Sequence, residues 1–150
     1  MSYSFKSVTI RTDNSKEGLA TIDQVWADIM SGKIPLDCFK DGAPVGNLSP
    51  ISCYSEYENE EKGKYDLTIM CVPTPFFQEL EAKVSRGEYF KIDEPGADLS
   101  DCVYKAWGKA WEMGSKGEIH RAFTKDYEST VPKEYTKDGK DHCYLYLALK

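Results

Sequence analysis

No run of apolar residues in this 150-residue chain approaches the roughly 18 that a membrane-spanning helix needs. Basic residues never cluster in runs longer than two, and the formal charge is −6. Both facts argue against a nucleic-acid or anionic-membrane surface, which wants clustered Lys and Arg. The phosphate-cradling patterns GxxxxGKS/T and GxGxxG are missing, as is the GxSxG nucleophile elbow. The CxxC motif is missing too, and there are only two histidines, so no Cys/His set has zinc-ligand spacing. No metal or cofactor is expected. The five cysteines, Cys38, Cys53, Cys71, Cys102 and Cys143, are odd in number and widely spaced. They read as small buried hydrophobes in a reducing compartment rather than as a disulfide framework. Met1 to Thr12 is polar and alternating, with no long apolar stretch of the secretory kind. The expectation is a cytoplasmic protein, in which the sequon Asn47-Leu48-Ser49 is a chance match.

What is present is an ordinary globular composition with one bias. Hydrophobic residues make up 41%, charged residues 29%, and the sequence pI is near 5.0. That is too apolar for intrinsic disorder. Aromatic residues make up 13%, and ten of them are tyrosines. Tyrosine supplies apolar area together with a hydroxyl, which suits a wall that meets both core and ligand.

Hydrophobic spacing lays out the elements. Phe5 to Thr12 alternates as a strand. Asp13-Asn14-Ser15 offers helix-capping oxygens, and from Lys16 to Ser31 the residues Leu19, Ile22, Val25, Trp26, Ile29 and Met30 line one helical face. Gly32 stops it, and a Gly- and Pro-rich loop runs to Pro50. Ile51 to Glu58 and Lys64 to Val72 form a hairpin. Phe76 to Arg86 fits either a short helix or an irregular connector. Glu88 to Asp93 is strand-like. Leu99, Cys102, Val103, Ala106, Trp107, Ala110 and Trp111 then mark a second helix over Asp98 to Met113. His120 to Thr130 and His142 to Leu149 close the chain as strands.

The order strand–helix–strand–strand therefore occurs twice, with a period of roughly 80 residues. The fold expected is α+β, a single domain of two β-α-β-β repeats over about 1–75 and 84–150. Pseudo-twofold symmetry, a curved antiparallel sheet, two helices on one face and a central cleft complete the expectation.

The motifs VWADIM, YSEY, NEEKGKYDLTIM, GEYFKIDEPG, AWGKAW, HRAFTKDYE and YLYLAL, in that order, cover nearly the whole chain. Together they resemble the GyrI-like family, the AraC-type effector-binding domains. The resemblance implies a duplicated βαββ fold. It also implies binding of bulky, lipophilic, often cationic compounds between aromatic walls with an acidic residue at the floor. Such domains serve multidrug-responsive transcription regulators, and some stand-alone members travel on integron gene cassettes. The family's aromatic–glutamate strand motif falls on Tyr127 and Glu128. Where members often carry another aromatic, this chain has Thr130, which implies a more polar pocket edge. Residues 1–150 are nearly consumed by the repeats, so no DNA-reading segment is expected.

The candidate ligand-binding residues are Glu128, Trp26, Tyr54, Tyr57, Trp107, Trp111, Tyr127 and Tyr146. A cation over a tyrosine or tryptophan face gains about 0.5–2 kcal/mol, and a partly buried carboxylate adds to that. Asp126 shares the face of Glu128 in a regular strand, and Glu56 is a further candidate anion. Tyr54 and Tyr57 would lie on opposite faces unless a bulge intervenes. The helical tryptophans also read as core. Two other classes stay open: a small hydrolase using Glu128 as base with a tyrosine partner, and a protein-interaction module such as a gyrase modulator. His120 and His142 would be the histidine ligands of a haem reading.

Overall fold

The computed structural model describes residues 6–40, 43–44 and 47–150. Phe5, the expected start of the first strand, lies outside the described residues, as do positions 41–42 and 45–46 of the long loop. The chain is α+β and divides into two compact units, Met1–Gln78 and Glu79–Lys150.

The first unit holds β1 (Ser7–Thr12), α1 (Lys16–Met30), a two-residue ribbon of β2 (Phe39–Lys40) and β3 (Ala43–Pro44), β4 (Leu48–Ser55) and β5 (Tyr65–Pro73). β5 pairs antiparallel with β1 on one side and β4 on the other. The registers Val8↔Ile69, Ile10↔Leu67 and Tyr54↔Leu67 set the apolar side chains on one face, because partners directly opposite share a face. That face meets Ile22, Val25, Trp26 and Ile29 of α1. Ser15 caps the helix by accepting the Gly18 amide at 3.0 Å. A side chain at Gly18 would collide with the Asp13 carbonyl, so the strand-to-helix corner needs glycine there.

The loop after α1 brings Leu36 and Cys38 into the same core, and Cys38 is disulfide-bonded to Cys71 of β5. This corrects the expectation of five thiols. The β5 register turns Cys71 toward α1, and the loop returns Cys38 to a Cα–Cα distance of 5.4 Å, across 33 residues of sequence. Spacing along the chain carries no trace of that approach. Cys53, Cys102 and Cys143 remain buried thiols.

The helix α2 (Thr74–Ser85) carries the chain from the first unit into the second. Here the sequence left helix and connector open; Pro75 sits in the first turn, where its missing N–H costs nothing. The described residues thus hold three α-helices, α2 taking the helical one of the two forms its sequence allows. The second unit contains β6 (Tyr89–Gly96), α3 (Leu99–Ser115), β7 (Lys125–Val131) and β8 (Asp141–Ala148). β8 is flanked antiparallel by β6 and β7, with Ile92↔Leu145 and Glu128↔Leu145. In each unit the last strand lies in the middle of three.

Cys102, Ala106 and Ala110 lie at i, i+4 and i+8 and are fully buried. Their small side chains let α3 settle closely on Ile92, Cys143, Leu145 and Leu147. Asp98 caps the helix through the Asp101 amide at 2.8 Å. Gly96 allows the close corner: an added Cβ would stand 2.9 Å from the Cys102 amide nitrogen. The strand expected from His120 begins only at Lys125, because Phe123 takes a left-handed φ of 56°. Before that break, Arg121 makes a single bridge to Leu149.

On β8, His142 bonds Asp93 through Nδ1 at 2.6 Å and Asp138 through Nε2 at 2.7 Å, and stacks on Tyr144. The two carboxylates, Asp93 first, raise its pKa above the ordinary value.

Alkylation of denatured, unreduced protein labels three cysteines, and five after reduction. In the chain-entropy view, loss of a bridge spanning 33 residues lowers stability by about 3–4 kcal/mol, read by urea unfolding with and without reductant. The His142 contribution runs with pH in the direction opposite to that of an ion-paired carboxylate. It is complete below about pH 6.5 and is lost as pH rises through the raised folded value. Thermal unfolding measured across that window falls in the wild type and flattens in His142→Gln.

Candidate functional site

The second unit carries a group of chemically matched side chains on the α3 side of its sheet. Tyr104, Trp107 and Trp111, spaced three and four apart, occupy one flank of α3 beside its buried stripe. Trp107 packs half-buried against the core, while Trp111 is 45% exposed and Tyr104 80% exposed. The two indoles lie 6.4 Å apart between centroids, tilted by 36°.

Glu128 of β7 stands opposite Leu145, so it faces α3, and it is only 9% exposed. The Trp107 Nε1–H donates to its Oε1 at 2.6 Å. Asp126, two residues earlier on the same face, is fully buried. Its Oδ1 accepts the Ala148 amide at 2.8 Å and its Oδ2 accepts Arg121 Nη2 at 2.7 Å. The Arg121 guanidinium lies 4.3 Å from the Phe123 ring centroid and 5.7 Å from that of Trp107. Its Nε has no hydrogen-bond partner among the described residues.

The other sequence candidates fall elsewhere. Alternation turns Tyr127 and Tyr146 to the opposite face of this unit's sheet, where they are cross-strand partners. Tyr127 packs on Tyr89 at 6.2 Å. Tyr146 is buried and its hydroxyl donates to Glu81 at 2.8 Å. Burial, then this bond to Glu81, push its pKa up. Lys91 also bonds Glu81 and lies over the Tyr144 and Tyr146 rings.

In the first unit, Trp26 meets Phe39 edge-on at 6.5 Å. Tyr54 and Tyr57 both pack on Tyr65, at 5.4 and 6.0 Å. They reach one ring because β4 ends at Ser55 and Glu56 turns the chain with a φ of 52°. Glu56 is an exposed turn residue whose carbonyl accepts Arg11 Nη1.

The structure therefore joins Trp107 to Glu128, Trp111 and Arg121, and Arg121 to Asp126; it pairs Tyr127 with Tyr146 on the other face, and sets Trp26, Tyr54 and Tyr57 in the first unit's aromatic packing. Sequence reasoning missed Arg121. The signal available was Asp126, an acid on an inward position that demands a buried cation. Among the described residues no group of three or more His, Cys, Asp or Glu is placed to hold a metal, and no helix is long and apolar enough to cross a membrane. No family model, curated protein or solved structure matches this chain.

The Trp107–Glu128 bond joins an indole to a buried carboxyl group. Trp107→Phe removes the donor and lowers stability by about 1–3 kcal/mol. Trp111→Phe, on the exposed neighbour, changes it by about 0.5 kcal/mol or less. Urea unfolding of both variants checks the contrast.

Proposed function

We propose that the chain is a binding protein for lipophilic, cationic small molecules, with Glu128, Trp107 and Trp111 as the recognising group. The observation that carries this reading is the 2.6 Å Trp107–Glu128 bond beside a tryptophan that is 45% exposed. A lipophilic cation needs apolar contact and a replacement for the water around its charge. The exposed indole offers the first, together with a π face worth about 0.5–2 kcal/mol to a cation. The carboxylate offers the second, and its low solvent exposure strengthens the attraction. The reading agrees with what the GyrI-like resemblance implies, including a role in drug response or transcription regulation. We also assign the protein to the cytoplasm. Thiol counting on cells lysed directly into alkylating agent tests this, since a persistent Cys38–Cys71 bridge there would favour an oxidising compartment.

Tryptophan quenching with three ligands of matched shape tests the ligand class. Tetraphenylphosphonium is expected to bind, triphenylphosphine oxide more weakly, and tetraphenylborate weakest. Glu128→Gln is expected to cost the cation about tenfold in affinity, equivalent to about 1.4 kcal/mol. Equal binding of borate and phosphonium, or an unchanged cation affinity in Glu128→Gln, would refute the reading.

A further inference from the structure

Three uncomfortable features meet in one short segment. Arg121 and Asp126 form an ion pair with 6% and 0% exposure. Such pairs contribute little beyond what well-packed apolar residues would. Arg121 Nε is buried with no hydrogen-bond partner among the described residues. Phe123 holds a left-handed backbone that a side chain of its size avoids. All three act on one place. The turn at Phe123 lays its ring against the guanidinium at 4.3 Å, and the guanidinium lies 5.7 Å from the Trp107 ring. Asp126 ties the assembly to β8 through the Ala148 amide.

We infer that Arg121 is the positioning residue of the Trp107–Glu128 pair. The inference rests on the reading proposed above for those two residues. Two physical effects support it. A buried guanidinium close to both the Phe123 and the Trp107 rings limits rotation of the indole, and the bond to Glu128 depends steeply on angle. A positive charge over the ring also draws electron density from it. That makes the indole N–H a stronger donor to the carboxylate, as coupled hydrogen bonds polarise one another. Arginine suits this role better than lysine, because only the guanidinium is planar and stacks on rings. A ligand cation approaching the Trp107 ring from the side of Arg121 meets like charge, so binding is steered toward Trp111 and the far side of Trp107.

The test reads the indole proton of Trp107 by NMR in the full chain, assigned through Trp107→Phe. The wild type is expected to show it well downfield of the other indole protons. Arg121→Met combined with Asp126→Asn removes both charges at nearly constant volume. It should move the proton upfield. Arg121→Lys keeps the charge without the plane and should move it part of the way. A folded double variant whose indole proton stays put overturns the inference. Should the double variant fail to fold, an unmoved proton in Arg121→Lys overturns it equally. If the wild type shows no preference for the cation while the proton still moves in the variants, the ligand reading fails and the positioning role stands.

Discussion

Alternation along the middle strand of each unit decides where everything else goes. In β5 the residues Tyr65, Leu67, Ile69 and Cys71 turn to α1, and in β8 the residues Cys143, Leu145 and Leu147 turn to α3. The neighbours inherit their faces through register. A slip of one residue between β7 and β8 would carry Glu128 from the helix side of the sheet to the face of Tyr146. The same slip would pull Asp126 away from Arg121 and the Ala148 amide and turn Tyr127 toward the helix, so the buried bonds of Asp126 hold the register that places Glu128.

Burial of charge is the second organising constraint. The interior on the α3 side admits Asp126, Arg121 and Glu128, and their neighbours answer for them: a backbone amide, a guanidinium and an indole N–H. The other side uses different partners. There His142 sits between two carboxylates, and Glu81 receives both a phenol and an ammonium. Polar contacts on both faces are pairwise and directional. They fix orientation in a way that aliphatic contact alone does not.

Local periodicity was enough to read α1, α3, the β4–β5 hairpin and β8 from sequence, since each has a clean apolar repeat over many residues. It was also enough to put Asp126 and Glu128 on one face. What escaped had no local period. The first turn of α2 contains a proline, and its apolar face is short. The Cys38–Cys71 bridge depends on how a 33-residue excursion returns. The late start of β7 comes from one residue, Phe123, taking a conformation its type disfavours. Nothing local in HRAFTKDYE sets Arg121 apart, and the fold shows that it is enclosed. The joint reach of Tyr54 and Tyr57 to Tyr65 likewise rests on the turn at Glu56.

The division of labour on α3 has a consequence. Its seat on the sheet is made by a cysteine and two alanines, whereas its large rings stand along a separate flank. Exchanging Tyr104 or Trp111 would leave that seat untouched. The side chains of that flank can therefore change while the scaffold beneath them stays the same.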